Sequence, residues 1–273
     1  MITQTKTFGA AHSALFSLPP MQLSDGTAIA VPAMPVQKVV TGDVEVDAVL
    51  WLREVIRTGQ ADLIAKARLA AAKIKTPLKD IEKRYTDYLA RAHPGNFAAV
   101  LSSFGFADLE GLADRAIERA TRQREARARF GDTIFDDTPA EQFCIDALRR
   151  VRKGARGYGL DAAQVDKRFD ARPDQRPATL TDCVAELTYW RELYWLRHAV
   201  GDCGDTSEQV SARDDYVFRM FSRIPPRDVD EAVMVFHYLT SNDGMDRGHT
   251  GAIILNLIGA PEPYHPYKGE SDE

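Results

Sequence analysis

Residues Thr179–Val200 read TLTDCVAELTYWRELYWLRHAV, and we predict that this segment forms the central helix of the fold. At the helical period of about 3.6 residues, its apolar side chains fall into two adjacent stripes that cover much of the circumference. A helix that is apolar over so wide a face is normally buried by neighbours on more than one side. The stripes consist of Cys183, Leu187, Trp190 and Tyr194, and of Tyr189, Leu193, Leu196 and Val200.

Local signals specify the ends of this helix. Thr179 with Asp182 three residues later is a variant of the capping box, and Gly201 is a typical residue at a helix C-terminus. Another helix start is predicted at 138–141, where Thr-Pro-Ala-Glu is a full capping box with proline at the first helical position. The helical pattern begins at Gly42 and continues through most of the chain.

The predicted fold class is therefore all-α, a multi-helix globular bundle with a short N-terminal β-hairpin-like arm. The arm, residues 1–40, contains Asp25-Gly26 between Met21–Ser24 and Thr27–Val31, a pattern typical of a type I′ hairpin. After it we predict a basic helical region (41–131), a helical core region around the helix 179–200 (138–260), and an extended or disordered acidic tail (261–273). The polar connection 131–137 is the candidate boundary, and a single domain covering 41–131 and 138–260 is the alternative.

The composition limits the class of protein. The 273-residue chain is 44% hydrophobic and 27% charged, so it can bury a substantial core and global disorder is not expected. Its net charge of −5 argues against a uniformly basic protein that coats nucleic acid. Three widely spaced cysteines imply no disulfide framework, and we find neither a signal peptide nor an apolar run of bilayer length. These features predict a cytoplasmic protein without a membrane partner, and the richness in Ala, Arg and Asp suits a bacterial or phage source.

Lysine and arginine are concentrated in the stretches 66–91, 115–129 and 149–156. The first contains two consecutive predicted helices joined at Lys75-Thr76-Pro77, which is the order of a helix-turn-helix. Such clusters are the electrostatic footprint of nucleic-acid binding. The candidate nucleic-acid-binding residues are Lys75, Lys79, Lys83, Arg84, Arg91, Arg122, Arg149, Arg150, Arg152 and Lys153.

Each basic stretch also has an explanation that needs no ligand. Glu118 and Arg122 have the i,i+4 spacing of an ion pair that stabilises a solvated helix. The third stretch follows the end of a predicted helix, where cations complement the helix dipole. The first stretch lacks the glycine that is often found in the turn of a helix-turn-helix.

The loop after the central helix offers a different chemistry. His198, Asp202, Cys203 and Asp205 supply imidazole, thiolate and carboxylate groups, all of which are zinc ligands. No further cysteine or histidine follows at zinc-finger spacing, and the glycines and aspartates are ordinary in a turn between helices. We therefore predict no metal and no cofactor, with His198 and Cys203 as the weak candidates for metal ligands.

The sequence favours a non-enzymatic helical protein of regulatory or accessory function that contacts nucleic acid through basic helix faces. One alternative is a protein–protein interaction adaptor without nucleic-acid affinity, and the other is a metal-assisted hydrolase that uses the 198–205 loop. The three hypotheses differ in where the side chains lie. A continuous surface of exposed cations favours the first, cations paired with acids favour the second, and a deep pocket holding His198 and Cys203 favours the third.

Overall fold

The computed structural model describes residues 10–22, 33–154, 157 and 159–260. No β-strand forms within these ranges, and an isolated antiparallel bridge joins Lys153 to Leu160. Twelve α-helices are numbered along the described chain as α1 (Ala10–Leu15), α2 (Val44–Arg57), α3 (Ala61–Ala71), α4 (Leu78–Ala92), α5 (Phe97–Leu101), α6 (Leu109–Phe130), α7 (Pro139–Ala147), α8 (Ala162–Asp170), α9 (Leu180–Val200), α10 (Glu208–Met220), α11 (Val229–Ser241) and α12 (Thr250–Leu257). The prediction of an all-α bundle is confirmed. None of these helices combines the length and the apolar character needed to cross a bilayer.

The N-terminal region does not support the predicted β-hairpin-like arm. The Asp25-Gly26 turn lies outside the described residues, as do most of its flanks. In the described part of residues 1–40 there is no strand, and Ala10–Leu15 is the helix α1. His12 of α1 and the following Phe16 are buried. This segment is therefore structured by its packing against a core. That packing cannot be read from the local sequence.

The chain divides into two compact units. The α9 unit comprises the described residues of Met1–Pro20 and Asp132–Glu273, and the α2 unit comprises those of Met21–Gly131. In the α2 unit, α3, α4 and α6 pack against α2, which Asp43 caps by accepting hydrogen bonds from the first turn. In the α9 unit, α1, α10 and α11 pack against α9. Each unit thus has a hydrophobic core of its own, and α10 contributes to that of the α9 unit as much as α9 does.

Helix α9 is buried along most of its length, as its two apolar stripes predict. The predicted cap is confirmed, because the Thr179 hydroxyl accepts from the Asp182 N–H while the Asp182 carboxylate accepts from the Thr179 N–H. The stripe residues that are buried are Cys183, Leu187, Tyr189, Trp190, Leu193 and Leu196. Near the C-terminal end, however, Tyr194 and Trp195 are 40% and 42% exposed. Tyr194 departs from its stripe because it lines an open cavity.

A buried ion pair joins α9 to α10. The side chains of Glu186 and Arg213 are 0% exposed, and two hydrogen bonds of 2.7 Å connect the carboxylate to the guanidinium. His12 of α1 lies 2.8 Å from the same carboxylate. Burial acts to raise the pKa of Glu186, but the charge and hydrogen bonds of Arg213, together with the His12 contact, hold it below its ordinary value. The carboxylate therefore stays ionised and ties three helices together.

Aromatic rings complete the surroundings of Arg213. Its Nη2 donates to the Gln175 carbonyl at 2.8 Å, while Nη1 has no hydrogen-bond partner among the described residues. The guanidinium carbon lies 4.6 to 5.6 Å from the ring centroids of Phe16, Phe143, Phe169 and Tyr216. The electron-rich ring faces stabilise the cation where no oxygen reaches it.

Removing either partner of this ion pair should destabilise the protein strongly. We expect Glu186→Gln and Arg213→Met each to lower the free energy of unfolding by about 3 to 5 kcal/mol, since each leaves one buried charge without its counter-charge. The double variant Glu186→Met/Arg213→Met should lose clearly less than the sum of the two. Urea unfolding followed by tryptophan fluorescence measures all three, with the exposed Arg149→Ala as a control expected to lose less than about 1 kcal/mol. Additive losses in the double variant would contradict this account.

Gly59 lies at a close approach between α2 and α6. Its φ is +67°, and a Cβ atom placed there would come within 2.6 Å of the Ala120 Cβ and 2.7 Å of the Ala116 carbonyl oxygen. Gly95 has a similar φ of +80°, but nothing lies within 4 Å of the corresponding Cβ. The two glycines share the left-handed conformation that only glycine adopts at low cost, and they differ in steric crowding.

We therefore expect Gly59→Ala to cost more than Gly95→Ala. Both substitutions should lower the free energy of unfolding by about 1 kcal/mol because alanine disfavours a positive φ. Gly59→Ala must also move α6 away from α2. The difference should be about 1 to 3 kcal/mol in the free energy of unfolding, again by urea titration. Equal losses would mean that α2 and α6 do not approach as closely as described.

Candidate functional site

Three lysines of the candidate nucleic-acid interface are available for a ligand. Lys75 precedes α4, and Lys79 and Lys83 lie one turn apart on it; all three are exposed. No described carboxylate forms an ion pair with any of them. Arg91 lies two turns beyond Lys83 on α4, with the exposed Asp87 between them on the same ridge; Arg91 is also exposed, and its Nε donates to the Asp87 carbonyl at 3.1 Å. These four cations present their charge to solvent.

The connection between α3 and α4 does not match a helix-turn-helix. It spans residues 72–77, which is longer than the roughly three- to four-residue turn of that motif. Both helices instead pack against α2. Sequence-specific insertion of α4 into a DNA groove therefore has no support from this geometry, whereas contact of its lysines with phosphates needs only exposure and charge.

Two other candidates in the α2 unit are paired with acids. Arg84 donates to the Asp43 carboxylate at 2.9 Å and to the Glu45 carboxylate at 2.5 Å, and Arg122 lies 3.1 Å from Glu118. A hydrogen bond from Thr76 and the Arg84 guanidinium hold the pKa of Glu45 below its ordinary value. Arg84 thus clamps the start of α2 to α4, and the i,i+4 explanation for Arg122 applies.

The third basic stretch belongs to the α9 unit and is not a helix face. Helix α7 ends at Ala147, so the candidates from Arg149 to Lys153 follow it in a turn and a short extended segment. Arg149 pairs with Asp146 at 2.7 Å, and Lys153 with Glu208 at 2.5 Å. Arg150 and Arg152 are exposed and form no ion pair with a carboxylate in the part of the chain that the structure describes. Among the described cations of the stretch, only these two remain unneutralised.

The loop after α9 does not assemble a metal site from the described residues. No group of three or more His, Cys, Asp or Glu side chains is arranged to hold a metal ion there or elsewhere in the described ranges. His198 instead stacks on Tyr194, with ring centroids 5.7 Å apart and an interplanar angle of 6°. Cys203 turns toward a cavity whose lining does not include His198. The two weak candidates for metal ligands therefore have different surroundings.

That cavity has a volume of about 570 Å³ and lies in the α9 unit. Its walls come from α9, α10, the loop between them, the segment before α7, the first turn of α7 and the end of α11. Apolar and aromatic side chains are mixed there with carboxylates, two arginines and hydroxyl groups. The apolar and aromatic ones include Phe135, Leu187, Trp190, Leu193, Tyr194, Val210 and Tyr238, and the charged ones are Asp137, Glu141, Arg191, Arg197, Asp205, Asp214 and Asp215.

Only part of this cavity is foreshadowed by the sequence. Cys203 and Asp205, two of the possible metal ligands, line it, but the sequence pattern points neither to the acidic pair on α10 nor to Arg191 on α9. The α10 pair, Asp214 and Asp215, looks like any solvated pair of acids in the sequence. Its significance depends on Arg247, which reaches both carboxylates at 2.7 and 2.8 Å from a segment more than thirty residues later.

The charges around the cavity differ in how well they are compensated. Arg197 forms two hydrogen bonds with Glu141, of 2.6 and 2.9 Å, and also donates to the Ile134 and Asp136 carbonyls. Burial acts to raise the pKa of Glu141, but Arg197 and Thr138 hold it below its ordinary value. Asp214 behaves oppositely, because burial raises its pKa and Arg247 offsets this only in part. Asp214 is thus an undercompensated carboxylate facing a cavity.

Comparison with known proteins adds no family to these observations. No protein-family model, no curated protein and no solved structure significantly matches the chain.

Alkylation should distinguish Cys203 from the other two cysteines. Cys144 and Cys183 are buried, and burial raises the pKa of both thiols, so neither supplies the reactive thiolate. We expect iodoacetamide to add one group to the native chain and three after unfolding in urea, as counted by mass spectrometry. Cys203→Ser should abolish the native adduct. Modification of Cys144 or Cys183 in the native chain would contradict the described packing.

Proposed function

We propose that the α2 unit binds the phosphate backbone of nucleic acid through the lysine row formed by Lys75, Lys79 and Lys83, with Arg91 at its end. The function is that of a non-enzymatic regulatory or accessory protein. The observation that carries the proposal is the exposure of these cations without a described carboxylate partner. Arg84 and Arg122 are left out of the interface because nearby acids already take up their charge.

The proposed binding is electrostatic and independent of base sequence. A lysine ammonium acts as a point charge toward phosphate and lacks the planar fork with which arginine recognises a guanine edge. Each phosphate contact releases counterions, so affinity falls as salt rises. Asp80 and Asp87 lie on the same helix, and the net charge is −5. Both limit the affinity to the range of weak, non-specific binding, about 10⁻⁴ to 10⁻⁶ M at physiological salt.

A partner-protein adaptor is the second candidate. It is favoured by an exposed apolar ridge on α11, where Val229, Val233 and Phe236 are 76%, 46% and 48% exposed at helical spacing. The metal-assisted hydrolase is not proposed, because the described residues of the 198–205 loop offer no set of metal ligands. The two remaining candidates use different units and make different predictions for binding to a polyanion.

Fluorescence anisotropy with a labelled DNA duplex and a labelled single-stranded RNA tests the lysine row. We expect binding at about 50 mM salt that weakens steeply toward about 200 mM. Lys79→Ala/Lys83→Ala should reduce affinity on the order of tenfold and reduce the slope of log K against log salt by about two, one for each phosphate contact. The matched control is Lys167→Ala/Arg168→Ala, which removes the same charge from two exposed residues of α8.

The control separates a defined interface from an effect of net charge. Equal losses in both double variants would mean that overall charge, and not the lysine row, determines binding. Absence of salt-dependent binding to either polymer would contradict the proposal and favour the adaptor. Circular dichroism of each variant checks the helical fold. We expect the fold to be retained because all the substituted side chains are exposed.

A further inference from the structure

The cavity of the α9 unit carries more negative charge than its own cations neutralise. Five carboxylates line it, those of Asp137, Glu141, Asp205, Asp214 and Asp215, against the two guanidinium groups of Arg191 and Arg197. Arg197 and Glu141 neutralise each other through their double hydrogen bond. Arg247, from outside the lining, supplies one positive charge to the α10 acids. Four carboxylates then face two cations, which leaves two negative charges unbalanced.

Asp214 offers a specific point of attachment. Its Oδ2 accepts from Arg247 at 2.7 Å, and its Oδ1 has no hydrogen-bond partner among the described residues. The side chain is 30% exposed, so it can be reached from the cavity. A carboxylate held partly out of water with one unused oxygen is well suited to accept a charge-assisted hydrogen bond. Its raised pKa has the same origin, namely burial that Arg247 does not fully offset.

The lining also contains apolar and aromatic side chains. Leu187, Leu193 and Val210 are only 1 to 3% exposed and Trp190 is 7% exposed, so these four offer little surface to a ligand. Phe135 and Tyr194 line the same cavity and are 50% and 40% exposed. Covering such exposed rings with a hydrocarbon or aromatic group gains free energy, and ring faces attract a neighbouring cation.

The N-terminus of α10 also borders the cavity and would favour an anion. However, Ser207 caps this helix by accepting from the Val210 N–H, and the carboxylate of Glu208 in its first turn already pairs with Lys153. Arg191 is the remaining cation, with Glu192 as a distant partner at 3.9 Å. These groups do not outweigh the four carboxylates, so the cavity selects positive charge.

We propose that this cavity binds an organic ammonium ion that carries an aromatic or aliphatic arm. The ammonium group donates to the Oδ1 of Asp214 and is attracted by Asp205 and Asp215, while the arm lies against the exposed rings of Phe135 and Tyr194. The volume of about 570 Å³ is in the range of small-molecule sites, roughly 300 to 1,000 Å³. The site belongs to the α9 unit and does not depend on nucleic-acid binding by the α2 unit.

Three probes of nearly equal shape test the charge preference. They are 2-phenylethylammonium, 2-phenylethanol and phenylacetate, which are cationic, neutral and anionic at neutral pH. We expect isothermal titration calorimetry to give an affinity for the ammonium ion about tenfold higher than for the alcohol, and no binding of the carboxylate. The ammonium ion should also slow alkylation of Cys203 by iodoacetamide, which places it in the cavity and not elsewhere on the acidic surface.

Two variants and a matched control assign the interaction. Asp214→Asn should remove the preference for the ammonium ion over the alcohol, whereas Asp230→Asn, an exposed acid outside the lining, should keep it. Ser211→Trp places a large side chain from α10 into the cavity and should abolish binding of both probes. Thermal unfolding of each variant shows whether it folds. If Asp214→Asn does not fold, Ser211→Trp still tests whether the probes bind in the cavity.

The possible results decide the matter in either direction. A tenfold preference for the ammonium ion that disappears in Asp214→Asn supports the proposal. Equal affinity for the alcohol and the ammonium ion, tighter binding of phenylacetate, or an unchanged preference in Asp214→Asn overturns it. Binding of the ammonium ion without protection of Cys203 also overturns it, because the site would then lie outside the cavity.

Discussion

The buried ion pair between Glu186 and Arg213 is the constraint on which the α9 unit depends. Neither charge can be removed from water alone, since an unpaired buried charge costs several kcal/mol. The pair therefore sets the position of α10 along α9. Because the same carboxylate also contacts His12, it holds α1 against the core that both helices form. The same burial explains why aromatic rings surround Arg213. Its Nη1 has no hydrogen-bond partner among the described residues, and nearby ring faces stabilise the buried cation instead.

Ion pairs also determine which surface cations can act on a ligand. Many arginines form ion pairs within the protein, such as those of Arg84 with Asp43 and of Arg197 with Glu141. A planar guanidinium suits these contacts because it can donate to two acceptors at once. The exposed lysines of α4 take part in no comparable contact with described carboxylates. In these contacts arginine organises the fold, whereas Lys75, Lys79 and Lys83 keep the charge on which the proposed binding rests. The proposed nucleic-acid interface therefore includes far fewer residues than all the lysines and arginines of 66–156.

The cavity of the α9 unit forms without any recognisable sequence motif. The end of α9 is covered less completely than its middle, and the exposed fraction of Tyr194 results from this. The loop that follows contributes Cys203 to the lining, and α10 contributes the acidic pair Asp214 and Asp215. Apolar and charged side chains of α9 and α10 meet there because the two helices are held together at the Glu186–Arg213 pair, whose chain neighbours Leu187 and Asp214 line the cavity.

The sequence by itself determined the all-α class, the burial of α9 and the capping boxes at Thr138 and Thr179, because helical periodicity and capping depend on residues only a few positions apart. It did not show that Ala10–Leu15 is a helix docked on the core, nor which basic residues are paired, nor that Asp214 faces a cavity. Those features arise from contacts between distant residues: Glu186 meets Arg213 at a separation of 27 positions and His12 at a separation of 174. Only the tertiary structure brings such groups together, and their charge and exposure follow from their neighbours in space and not from their neighbours in sequence.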